Sequence, residues 1–135
     1  MKQQSNYLLA MRNKELIDSY KRILRDEYAR GGTIDRRRVV MRVLRESRPM
    51  FHISYDHAYK VLSVARRRGF NHFKHPHRRQ MWRELASLVH DEMHRHPRLS
   101  MGDALSRVLA SCRASSFYLS PDYCYKLLGN IYKSH

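Results

Sequence analysis

The sequence predicts an all-α protein: two tandem three-helix, helix-turn-helix-like units packed as one compact domain. Three observations predict it. A segment recurs at a constant offset, apolar residues return at three- and four-residue intervals, and helix start and stop signals fall at matching places in the two halves.

The repeat is the strongest of these. Residues 51–62 read Phe-His-Ile-Ser-Tyr-Asp-His-Ala-Tyr-Lys-Val-Leu, and residues 117–128 read Phe-Tyr-Leu-Ser-Pro-Asp-Tyr-Cys-Tyr-Lys-Leu-Leu. At an offset of 66, Phe51, Ser54, Asp56, Tyr59, Lys60 and Leu62 are identical to Phe117, Ser120, Asp122, Tyr125, Lys126 and Leu128. Carried backwards at that offset, Val39, Val43 and Leu44 fall on Leu105, Leu109 and Ala110, and Ile34 falls on Ser100. Further upstream, Glu15-Leu16 meets Glu84-Leu85 at an offset of 69. The boundaries that follow are a first unit over 1–70, a His/Arg-rich link over 71–79 and a second unit over 80–135.

Each unit reads as three helices. Leu16, Ile17, Tyr20, Ile23, Leu24 and Tyr28 mark the apolar face of a helix over about 13–30, ended by Gly31-Gly32. Thr33 or Asp35 caps a second helix that turns Val39, Val40, Val43 and Leu44 inward and closes before Pro49. Ser54 caps a third, with Tyr55, Ala58, Tyr59, Leu62 and Ala65 inward. In the second half a helix over about 78–95 stops at Pro97. Ser100 caps the next, and Ser120-Pro121 opens the last, whose inner face is Cys124, Leu127, Leu128 and Ile131. Tyr20, Tyr28, Tyr59, Trp82 and Tyr125 fall at core spacing. In the links before the third helices, Phe51, Ile53, Phe117 and Leu119 read as plugs. His52 and Tyr118 are the outward members, suited to stacking on a base.

Charge sets the functional expectation. The chain has 135 residues, 27 Lys/Arg and 12 Asp/Glu, for a formal net charge of +15. Repulsion on that scale is relieved by an anionic partner, of which nucleic acid, DNA or RNA, is the commonest. Residues 1–70 carry 17 basic and 7 acidic side chains (+10), and residues 71–135 carry 10 and 5 (+5). The first unit is therefore expected to make the contact and the second to brace it. The candidate phosphate-binding residues are Arg36, Arg37, Arg38, Arg42, Arg45 and Arg48 on the second helix and its exit, Lys60, Arg66, Arg67 and Arg68 on the third, and Arg78 and Arg79 opening the fourth. A solvated face would alternate signs, and here only Asp35, Glu46 and Asp56 interrupt the cations between 35 and 70. The alternative is a protein-interaction adaptor or structural component that docks on an acidic protein surface or on a second copy of the chain. The link between the second and third helices is longer than a helix-turn-helix turn.

Chemistry beyond binding finds little support. His72, His75 and His77 lie in the link, and His90 and His94 share a helix face; a basic linker describes them better than a metal site, so no cofactor is expected. His90-Asp91-Glu92-Met93-His94 imitates a zincin motif with aspartate in the base position and no third ligand at a fitting spacing. No phosphate loop or nucleophile elbow is present, so the reading is non-enzymatic. Cys112 and Cys124 have no paired companions, and no apolar run is long enough for a membrane span. A cytoplasmic protein is the expectation.

The duplicated Phe-x-[Ile/Leu]-Ser-x-Asp-x-[Ala/Cys]-Tyr-Lys-[Val/Leu]-Leu segment resembles that of an uncharacterised family of small basic proteins with a duplicated three-helix unit, associated with gut-anaerobe genomes and with mobile elements or phages. The resemblance implies a fold and a genomic setting. It carries no activity.

Overall fold

A computed structural model of the chain describes the backbone of residues 2–133 and the side chains of residues 6–130. Six helices follow one another: α1 (Lys2–Arg30), α2 (Arg36–Glu46), α3 (Tyr55–Arg68), α4 (Pro76–Arg95), α5 (Met101–Ser111) and α6 (Pro121–Lys133). The chain is all-helical.

Local chemistry explains the boundaries. Asp35 caps α2, its carboxylate accepting the Arg37 N–H at 3.0 Å. Ser54 caps α3, Ser100 caps α5 and Ser120 opens α6, each hydroxyl accepting an N–H three residues on at 3.1–3.2 Å. Gly31 (φ +78°) follows α1 and Gly69 (φ +67°) follows α3, at left-handed positions that a Cβ would strain. Two helices are longer than the sequence suggests. α1 runs back to Lys2, and α4 starts at Pro76, so Arg78 and Arg79 stand in its first turn and not in a linker.

Two separate cores form, and they do not follow the two halves of the chain. One gathers Leu16, Tyr20 and Ile23 of α1, Val39, Val40 and Val43 of α2, and Phe117, Cys124 and Leu128. The other gathers Trp82, Leu85 and Val89 of α4, Ala104, Leu105 and Val108 of α5, and Phe51, Ala58, Leu62 and Ala114. Each half therefore sends its third helix into the other half's core: α6 packs on α2, and α3 packs on α5. In each case the link goes with it, since Phe51 leaves α2 for the second core and Phe117 leaves α5 for the first.

The links show why. Pro49 disfavours a helical Arg48, and the cap residues Ser47 (φ −80°, ψ 146°) and Cys112 (φ −94°, ψ 149°) are already extended. Both links thus leave their helices extended. They run antiparallel and cross at Met50 and Arg113, where the Ala114 N–H donates to the Pro49 carbonyl at 2.7 Å. Arg48 donates to the Ser115 carbonyl at 2.8 Å, and Arg113 donates to the Arg48 carbonyl at 3.1 Å, so each link is held by an arginine from the other. The first helices supply matched carboxylates. Glu15 accepts the Met50 N–H at 3.2 Å, and Glu84 accepts the Ser115 N–H at 2.7 Å together with the Ser115 hydroxyl. The pairing of Glu15-Leu16 with Glu84-Leu85 thus has a structural counterpart, with both leucines fully buried.

The structure shifts one register. α2 and α5 have equal lengths, and their caps, Asp35 and Ser100, and their buried triplets stand 65 residues apart, not 66. Val39, Val40 and Val43 correspond to Ala104, Leu105 and Val108, and Ser100 corresponds to Asp35, not to Ile34. The second link holds the extra residue. Several inner-face expectations also change. Tyr28 is 74% exposed, Tyr55 40% and Tyr59 42%, while Tyr125 is half-buried. Ala58 and Leu62 are the buried residues of the α3 seam, with Val61 packed beside them, and the bulky tyrosines stay more exposed. The side chain of Ile131 lies outside the described residues.

Candidate functional site

The predicted arginines separate into groups with different surroundings. Arg36, Arg37 and Arg38 form the first turn of α2, where no acidic residue offsets them within the helix. A helix N-terminus already carries partial positive charge, so three cations there oppose the helix dipole. The Asp35 carboxylate that caps the helix offsets part of this charge at the backbone, and the guanidinium groups themselves find looser partners. Arg37 stands 3.5 Å from the exposed Asp122 with its guanidinium over the Tyr125 ring at 4.6 Å, and Arg38 stands 3.6 Å from Glu27. Arg36 makes no ion pair among the described residues. All three are exposed.

Arg42 differs. Its guanidinium meets Glu46 at 2.7 Å, Asp26 at 2.9 Å and Glu27 at 3.0 Å, and only 13% of its side chain is open. Hydrogen bonds that Arg42 donates to these three carboxylates raise its pKa further above the ordinary arginine value, and Arg42 in turn lowers that of Glu46. Arg42 staples α2 to α1, and its charge is neutralised within the fold. Arg48 is committed through hydrogen bonds to the link crossing. Arg45 remains largely open, 3.7 Å from Glu46.

Arg66, Arg67 and Arg68 close α3 and are exposed, with no ion pair among the described residues. Their place at a helix C-terminus suits the dipole, so unlike the α2 trio they are not in local conflict. Lys60 is exposed on the same helix. Because α3 packs on α5 and α2 packs on α1 and α6, the two triple-arginine clusters belong to different cores and not to neighbouring helices of one unit. Arg78 lines a cleft of about 220 Å³ that Arg12 also lines, where the link crossing meets α4. Arg79, half-buried, stands beside it in sequence.

Two residues expected to offer aromatic faces outward are turned inward. His52 Nε2 lies 3.4 Å from Glu15, and its side chain is nearly closed off. Tyr118, its counterpart 66 residues on, faces Glu84; burial and that carboxylate push its hydroxyl up to about 12. The exposed tyrosines include Tyr7, Tyr28 and Tyr123, and among them Tyr55 and Tyr59 stand as a pair, their ring centroids 5.9 Å apart. They line a groove of about 600 Å³ between α3 and the start of α5, with Arg66 and Arg67 on its rim. The signal was present in the sequence: Tyr55, Tyr59 and Arg66 recur at i, i+4 and i+11, on a stripe beside the one that Ala58 and Leu62 bury.

The histidines serve packing and surface roles. His57 meets Trp82 edge-on at 5.5 Å, His72 lies against Phe73 at 4.3 Å, and His90 stacks on His94 at 5.9 Å. No three His, Cys, Asp or Glu side chains converge as a metal site among the described residues. No helix among them is long and apolar enough to cross a membrane. Comparison of the chain with protein-family models, with curated proteins and with solved structures finds no match.

Proposed function

We propose that the protein binds nucleic acid, DNA or RNA, through the phosphate backbone, as an accessory protein without a catalytic step of its own. One observation carries the reading: three exposed arginines crowd the first turn of α2, where the Asp35 N-cap and two ion pairs of 3.5 and 3.6 Å are the anions beside them, and bound phosphate relieves the remaining crowding. The distribution of the acids supports it. Asp26, Glu27 and Glu46 are engaged by Arg42, Glu15 and Glu84 by the links, and Glu92 by Arg107 at 3.1 Å. The excess of cations is left on the surface, with Arg36, Arg37, Arg38, Arg45, Lys60, Arg66, Arg67, Arg68 and Arg78 among the exposed ones.

The test is affinity for a labelled duplex and for a single strand of the same sequence over a salt series. Each duplex phosphate contact contributes about 0.9 to the slope of log affinity against log salt. Arg36→Gln with Arg37→Gln and Arg38→Gln should therefore lower that slope by about 2.7. A slope near zero in the unaltered protein sinks the proposal. A partner pulled down equally well after nuclease treatment would favour an acidic protein surface instead.

A further inference from the structure

The duplication lets one core be read against the other, and the comparison singles out the groove between α3 and α5. By the registers established above, Tyr125 of α6 corresponds to Tyr59 of α3, and Arg37 of α2 corresponds to Gly102 of α5. In the first core the Arg37 guanidinium covers the Tyr125 ring at 4.6 Å. In the second core a glycine stands where that arginine would be, and Tyr59 remains 42% exposed. The glycine is closely approached. A Cβ at Gly102 would come within 2.6 Å of the Tyr55 hydroxyl and 3.4 Å of the Tyr59 ring. The backbone of α5 thus approaches an edge of each tyrosine, and no side chain at position 102 covers either ring.

The lining indicates what could cover them. A second cation, as in the first core, is disfavoured because Arg66 and Arg67 line the same groove. A flat ring that carries a negative group satisfies both features. Asp103, the acidic lining residue in the first turn of α5, offers an acceptor suited to the N–H groups of a base edge. A base inside a duplex has both faces covered by its neighbours, so only an unpaired base can stack here.

We infer that the α3–α5 groove is a subsite for one unpaired nucleotide, with the base stacked on Tyr55 and Tyr59 and its phosphate held by Arg66 and Arg67. This deepens the nucleic-acid reading and rests on it. The groove confers a preference for single-stranded or extruded bases that the α2 arginines, which contact backbone alone, do not.

The experiment compares a fluorescein-labelled mixed-sequence 12-nucleotide DNA strand with its duplex by anisotropy. The proteins are the unaltered chain, Tyr55→Leu with Tyr59→Leu, and Arg66→Gln with Arg67→Gln. Stacking of one base contributes about 1–3 kcal/mol, so the tyrosine variant should bind the single strand about 5- to 150-fold more weakly. Its duplex affinity should stay within twofold, and its salt slope should be unchanged. The arginine variant, altered only at exposed positions, should lower the single-strand slope by about 0.7, from the one phosphate the pair holds. Both variants are checked for native helicity and Trp82 emission; if the leucine variant does not fold, the arginine variant decides, because the groove assignment requires its single-strand slope to fall while its duplex slope holds. Equal weakening on both probes, or none, overturns the groove assignment and leaves backbone contact standing. Absence of salt-dependent binding to either probe by the unaltered chain overturns both.

Discussion

Cutting the chain between α3 and α4 tests the exchange of third helices most directly. The fragments 1–70 and 71–135 coincide with the repeats, and if each repeat held its own core, each would fold. In the observed arrangement the first fragment lacks Phe117, Cys124 and Leu128, and the second lacks Phe51, Ala58 and Leu62, all of them buried. Full burial of a phenylalanine or leucine contributes about 1.5–3 kcal/mol, so each fragment forgoes roughly 3–6 kcal/mol from its two large side chains alone. A domain of this size holds about 5–15 kcal/mol in all. Each isolated fragment should therefore be weakly helical and unfold without a cooperative transition. An equimolar mixture should regain helicity in far-ultraviolet circular dichroism, and Trp82, fully buried in the intact chain, should shift its emission to the blue as fragment 1–70 is titrated in. If fragment 71–135 alone melts cooperatively with Trp82 already buried, and fragment 1–70 changes nothing, the reasoning is refuted.

Point substitutions extend the same logic. Phe51→Ala should cost about 3–5 kcal/mol and alter the near-ultraviolet dichroism of Trp82, whose core it shares, while Phe117→Ala should cost a similar amount and leave that band intact. Glu84→Ala removes the acceptor for the Ser115 N–H and hydroxyl and should lower stability by about 1–3 kcal/mol in urea titrations; Glu15→Ala, which frees one N–H at 3.2 Å, should cost less. Burial pushes the Cys124 thiol up to about 11, and burial together with Glu84 pushes Tyr118 up to about 12. Both groups are neutral when protonated and have raised folded-state pKa values, so their contribution is intact below pH 9 and is lost as pH rises from about 9 to 12. Urea midpoints should fall across that window, and Cys124→Ala with Tyr118→Phe should flatten the fall.

The sequence made the helices legible because their signals are local. Ser54, Ser100 and Ser120 cap where expected, and the glycines after α1 and α3 stop those helices through their own backbone freedom. The identity of the cores was not legible. Phe51 and Phe117 are alike in sequence, and either could seal either core; only the antiparallel crossing of two links, formed by residues more than sixty positions apart, decides which. The 65-residue register of α2 and α5 was hidden for a related reason. Valine and leucine satisfy a helical seam at neighbouring offsets, and the extra residue lies in a link that the Phe-to-Leu motif does not cover. At the candidate site, the exposure of Arg36 and of Arg66 to Arg68 followed from composition. The neutralisation of Arg42 did not, because Asp26 and Glu27 come from another helix and nothing in their spacing points to residue 42.

The exchange also changes where the charge sits. Divided by sequence halves, the chain is +10 and +5. Divided by cores, residues 1–46 with 121–135 carry 14 basic and 7 acidic side chains, and residues 55–111 carry 11 and 5, so the cores are +7 and +6. A binding first half and a bracing second half thus lose their electrostatic basis, since the Arg66–Arg68 cluster of the first half rides on the second core. The cores still differ, though in geometry and not in net charge. One presents arginines on the first turn of α2, covers Tyr125 with Arg37 and leaves Tyr28 open. The other begins α5 with Gly102 and Asp103 and leaves Tyr55 and Tyr59 open. Nearly equal charge with unequal grooves fits the proposed mode, one strand gripped by its phosphates along both cores and engaged by a base at one of them.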